Sequence, residues 1–165
     1  MTAHHLAQLN VARMKAPLES PLMAAFSASL DQISELADGS PGLVWRLKDE
    51  AGDTTSLRPF GDEMLVNVSV WATIDELAHF VYQSTHADVM KRRRNWFDRI
   101  ADTDTVLWWI PSGHKPTIAE ARERLAELRR CGPAPRAFPF RQSFSADGTQ
   151  SRTPSTEANS SAGFQ

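Results

Sequence analysis

The chain has 165 residues, 41% of them hydrophobic and 23% charged, and a formal net charge of −2, values ordinary for one globular domain with a real core. The charge argues against the basic footprint of a nucleic-acid binder, and Cys131, the single cysteine, excludes a disulfide framework and a cysteine-rich zinc site. No apolar run approaches the ~20 residues needed to span a bilayer, and no leader pattern opens the chain, so a cytoplasmic protein without a membrane partner is expected.

His4–Ala12 is predicted as a strand, with Ala7, Leu9 and Val11 on one face and Leu6, Gln8 and Asn10 on the other. Ser20 before Pro21 reads as an N-cap with proline in the first turn. Leu22, Phe26, Ser29, Ile33 and Leu36/Ala37 mark the inward stripe of the helix behind it, which Gly39–Gly42 stops. Leu43–Lys48 is a short strand, with Leu43, Trp45 and Leu47 facing one way and Val44 and Arg46 the other. The polar run Asp49–Asp62 reads as a long loop. Met64–Trp71 shows the clearest β alternation, placing Leu65, Asn67, Ser69 and Trp71 on one face.

Thr73–Glu76 is a capping box for a helix with Ile74, Leu77, Ala78 and Val81 inward. After Ser84, Thr85 caps a second helix running to about Ile100. Val106–Ile110 is the last strand. A second capping box, Thr117–Glu120, opens a helix with Ile118, Ala121, Leu125 and Leu128 inward, closed by Gly132–Pro133. Residues 1–144 form the expected domain, and 145–165, rich in serine, threonine, glycine and asparagine, a disordered tail. Without the additional helices the order is βαββαβ, an α+β ferredoxin-like fold whose four-stranded antiparallel sheet has its first and third strands at the centre.

Glycine-rich phosphate loops, dinucleotide fingerprints, His-Glu-x-x-His and nucleophile elbows are all absent from the sequence. The informative residues are polar ones at positions patterned for burial. Gln8 and Asn10 share a face of one central strand, and Asn67 and Ser69 a face of the other. Such groups either satisfy one another or line a cavity. On the helix after Thr85, His86, Met90, Arg93 and Phe97 project in one direction. There His86 is a neutral imidazole able to carry a proton, or else a group that only bonds the backbone at the start of the helix. Trp45, Trp96 and one of the Trp108/Trp109 pair could wall a pocket for a flat apolar ligand. The expected catalytic set is His86, Arg93 and Asn10. The expected ligand-binding set is Asn67, Ser69, Trp45, Trp96, Phe97, Met90 and Trp109, with no metal site.

The run Ser69–Phe80 continuing into Ser84–His86 and Arg92–Phe97 resembles a domain-of-unknown-function family, number 3291. So do Leu6–Asn10, Pro41–Arg46, Leu107–Pro111, Gly113–His114 and Pro116–Thr117. The resemblance covers roughly His5–Arg141 and implies the dimeric α+β-barrel superfamily, alongside antibiotic-biosynthesis monooxygenases. It therefore implies a homodimer and a ligand cavity between sheet and helices. It also implies a monooxygenase-like, isomerase or cyclase activity on a small apolar or aromatic metabolite without a cofactor. The alternatives are haem binding, with His86 as axial ligand, and a non-catalytic binding or dimerisation module.

Overall fold

A computed structural model of the chain describes residues 3–47, 61, 63–83, 95–98 and 103–149. The elements are β1 (His4–Met14), α1 (Ala24–Asp38), β2 (Leu43–Arg46), β3 (Met64–Trp71), α2 (Ile74–Gln83), β4 (Phe97–Asp98), β5 (Thr105–Pro111) and α3 (Ile118–Cys131). The sheet runs β2-β3-β1, with β5 and then the short β4 along the far side of β1. All the described pairings are antiparallel. β1 and β3 are the central neighbours, as the βαββαβ order requires.

One face of the sheet carries Ala7, Leu9, Val11, Met64, Val66, Val68, Val70, Val106, Trp108 and Ile110. Ala121, Leu125 and Leu128 of α3 pack on it, with Trp45 and Leu47 beside them. None of these ten strand residues is more than 8% exposed in the single chain. The opposite face divides into two apolar clusters. Leu6, Trp71, Leu77, Phe80, Leu107 and Phe138 form one, with Leu36 and Ala37 from the end of α1. Met14, Met23, Phe26 and Trp96 form the other, joined by Leu30 and Leu65. α1 thus bridges both clusters and roofs the strip of sheet between them.

The helix starts follow the sequence. Thr73 Oγ1 accepts from the Glu76 amide at 3.1 Å and donates to its carboxylate. Thr117 accepts from the Glu120 amide at 3.1 Å. Ser20 precedes Pro21 as expected, but its hydroxyl makes no cap.

Three expectations change. Pro21–Met23 is a 3-10 turn, whose tighter winding advances the phase. Met23 rather than Leu22 therefore begins the inward stripe, and Leu22 is 52% exposed. In β2 a bulge separates Leu43, opposite Trp71, from Trp45, opposite Val70. The extra residue puts Leu43 and Arg46 on the α1/α2 side and sends Trp45 to the α3 side. Finally, the helix expected to reach Ile100 does not include Phe97 and Asp98. These pair with Met14 and Arg13 as β4, because the end of β1 outruns β5 and offers a free ladder edge there. Most of the remainder of that helix, with positions 49–60 and 62 of the long loop, lies outside the described residues.

Candidate functional site

The antiparallel register lays the α1/α2 face out in rows. Leu43, Trp71, Leu6 and Trp109 make an apolar row. Next come Arg46, Ser69, Gln8 and Leu107, and then Asn67, Asn10 and Thr105. These polar rows fall between the two hydrophobic clusters, and a cavity of about 270 Å³ opens over them. Gln8, Asn10, Arg46, Asn67, Ser69, Asp104 and Thr105 supply its polar lining, and Trp71, Phe80, Leu43 and Phe140 are among its apolar walls. Phe80 comes from α2 and packs on Trp71 with centroids 5.3 Å apart.

Two hydrogen-bond relays fix which way the amides point. The Trp71 indole Nε1–H, a donor only, donates to Ser69 Oγ at 2.9 Å. Ser69 must then give its own proton to Gln8 Oε1, also at 2.9 Å. Gln8 is 6% exposed, and with its oxygen taken, its Nε2 amide group is left for the cavity. On the other side, Thr105 Oγ1 donates to the Asp104 carboxylate at 3.2 Å. It can therefore only accept from Asn10 Nδ2, at 2.8 Å, and Asn10 Oδ1 is left for the cavity. The floor thus offers a donor at Gln8 and an acceptor at Asn10.

Arg46 stands at the β2 end of the Gln8 row. Its Nε and Nη2 donate to the two Asp38 carboxylate oxygens at 2.7 and 3.3 Å. Only 10% of its side chain is exposed, against 43% for Asp38. The opposite end is closed by the segment after α3. Phe138 bridges Leu107 through paired backbone hydrogen bonds of 2.8 and 3.0 Å, and Trp109 Nε1 donates to the Phe144 carbonyl at 2.7 Å.

Of the site residues expected from sequence, Asn10, Asn67 and Ser69 come together in this cavity. Trp45 lies on the other face of the sheet, carried there by the β2 bulge. Trp96 is buried against Met14 and Phe26, and Phe97 sits edge-on to Phe26 at 5.0 Å; both belong to the neighbouring hydrophobic cluster. Trp109 packs behind the cavity wall. His86, Met90 and Arg93 lie outside the described residues. Sequence reasoning passed over Arg46, Phe80, Asp104, Thr105 and Phe140. Phe80 follows Leu77 by three residues on the inward arc of α2, so helical spacing contained that signal. The facing of Arg46 depends on the bulge and left none.

A second polar cluster stands at the start of α3. Glu120 accepts from Trp108 Nε1 at 2.8 Å and meets His114 Nε2 at 2.7 Å. Burial alone would raise its carboxyl pKa. The hydrogen bonds from His114 and Trp108, with the charges of His114 and Arg124, outweigh this and hold it below the ordinary 4.5. This ties the Pro111–Pro116 turn and α3 to β5. No group of three or more His, Cys, Asp or Glu side chains placed to hold a metal occurs among the described residues. Within the same residues no helix is long and apolar enough to cross a membrane.

No curated protein matches the sequence. Among solved structures, SnoaB, a cofactor-independent oxygenase from Streptomyces nogalater, is 15% identical with a TM-score of 0.44, covering 70% of this chain and 98% of SnoaB. A candidate antibiotic-biosynthesis monooxygenase from Nitrosomonas europaea is 10% identical with a TM-score of 0.45, covering 71% and 97%. Rv0793 from Mycobacterium tuberculosis is 10% identical with a TM-score of 0.44, covering 68% and 99%. The model of the family described as Domain of unknown function (DUF3291) matches residues 5–154. The chain, with its polar band roofed by α1, belongs to the DUF3291 family.

Proposed function

We propose that the cavity over the polar rows binds a small, flat, largely apolar metabolite, and that the protein acts on it as a monooxygenase-like, isomerase or cyclase enzyme. The observation that carries the reading is the pair of relays. They hold Gln8 and Asn10 in fixed orientations and leave one hydrogen-bonding group of each without a partner among the described residues, in a polar band between two apolar clusters. Gln8 is buried and buried amides are normally satisfied, so a ligand is the natural partner of its Nε2 group. Trp71, Phe80 and Phe140 give it aromatic walls.

The fixed Gln8 Nε2–H dipole in a partly dry site favours negative charge developing on a substrate oxygen beside it. That is the shared requirement of enolisation, of cyclisation through an enolate, and of oxygenation of a substrate that supplies its own electrons. The Asp104 carboxylate lines the same cavity and is a candidate proton acceptor. His86 and Arg93 keep their proposed roles as proton carrier and anion holder. Native mass spectrometry of freshly purified protein tests the binding reading. A retained mass beyond the 18.4 kDa chain is expected, and it should vanish in Asn67→Trp, which fills the cavity rim. A mass retained equally by that variant would place the ligand elsewhere. Haem binding, the alternative carried by the resemblance, rests on His86. Its test is a Soret shift on hemin addition that His86→Ala abolishes.

The homodimer remains a proposal with altered geometry. The apolar sheet face is covered by α3 and Trp45 within one chain, which favours a contact through another surface.

A further inference from the structure

Resting on the reading of the cavity as a ligand site, we propose that its ligand carries an anionic oxygen and, further along the same edge, a hydroxyl donor. The anion would be held by Gln8 Nε2–H and Arg46, and the hydroxyl by Asn10 Oδ1. Gln8 and Asn10 lie two residues apart on one strand and face the same way, which separates them by ~7 Å. The relays make them unlike. Ser69 occupies Gln8 Oε1 and leaves its two Nε2–H donors, whereas Thr105 and the Asp104 carbonyl engage Asn10 Nδ2 and leave its oxygen.

Charge is distributed in the same sense. Arg46 shares the Gln8 row, two strands away at ~10 Å, a span its long side chain can shorten. Asp38 occupies Nε and Nη2, and Nη1 has no partner among the described residues. The guanidinium is the more buried member of this pair and stands in the cavity wall. At the other end the Asp104 carboxylate stands beside Thr105 and Asn10. There the free Asn10 oxygen accepts from a hydroxyl donor and has nothing to give an anion. The ligand therefore has a defined direction across the sheet. A cavity of about 270 Å³ lies just below the usual range of small-molecule sites, which suits one or two aromatic rings. A hydroxylated aromatic carboxylic acid, or the enolate of a hydroxylated aromatic ketone, fulfils all of these conditions.

Isothermal titration of the full chain with 4-hydroxybenzoate, benzoate and 4-hydroxybenzamide separates the parts of the proposal. The hydroxy acid should bind at least about tenfold tighter than either of the others. Arg46→Gln should erase the preference for acid over amide. Asp38→Asn, which releases Arg46 from its counter-ion, should strengthen binding of the acid several-fold and leave the amide unchanged. A purely structural Arg46–Asp38 pair predicts no such gain, and this variant decides the matter if Arg46→Gln fails to fold. Equal affinities for the three probes would overturn the polarity and leave the cavity as a ligand site. Failure of all three to bind would overturn both.

Discussion

Ser69 is the residue on which the floor of the cavity depends, because its single hydroxyl both accepts from Trp71 and donates to Gln8. In Ser69→Ala a buried indole N–H and a buried amide oxygen lose their partner together. The expected cost is about 1–3 kcal/mol, read as a lower denaturant midpoint; an unchanged midpoint would mean that water replaces the hydroxyl. Gly42 is constrained differently. Its φ is +87° and a Cβ there would run into the Glu76 side chain, while its carbonyl accepts from Ala72 N at 2.7 Å. Gly42→Ala should therefore destabilise by at least about 1–2 kcal/mol in the same measurement. Glu120 adds a pH dependence. Its pKa is depressed in the folded state, so its contribution is present in full above the ordinary value of 4.5 and fades as pH falls through the lower folded value. The stability advantage of the native chain over Glu120→Gln should accordingly be constant near neutrality and shrink below about pH 4.5. An advantage unchanged down to pH 3 would remove the carboxylate from the account.

At the scale of elements, what could be read from the sequence follows from how each element is buried. β3 was legible because its apolar residues alternate with polar ones, and its Asn67 and Ser69 marked the cavity floor in advance. β1 was harder, since Leu6 through Leu9 are all buried, on both faces, and burial on both sides flattens the alternation that signals a strand. β4 could not be read at all: two residues owe their extended form to the free edge of β1 and carry no period of their own. α3 was legible from Thr117 to Gly132 because cap, stripe and stop agree. What its pattern could not reveal is which sheet face it covers. Leu125, 1% exposed, sits at the centre of that contact. Leu125→Ala should cost about 2–5 kcal/mol in chemical denaturation, and a much smaller loss would show that α3 packs loosely.

For the whole molecule, both faces of the sheet are occupied within one chain, by α1 and α2 on one side and α3 on the other. The segment after α3 then crosses the β5 edge, so that Phe138, Phe140 and Phe144 reach the face opposite to α3. Beyond it, Ser145–Thr149 make a turn in which Asp147 accepts from Ser145 and from the Thr149 amide at 2.6 and 2.9 Å. The family match continues to residue 154.

The bulge in β2 gives this architecture a place where its length can change. Val44 is the extra residue between two positions that face successive partners on β3, and it is 46% exposed. Removing it would restore one-to-one pairing while Leu43 and Arg46 keep their side of the sheet and Trp45 keeps the other. Elsewhere in the sheet a one-residue deletion turns every following side chain over; here it should leave the melting temperature within a few degrees and Arg46 still in the cavity. Family members one residue shorter at this point can therefore carry the same site, and an alignment that insists on equal strand lengths would misplace it.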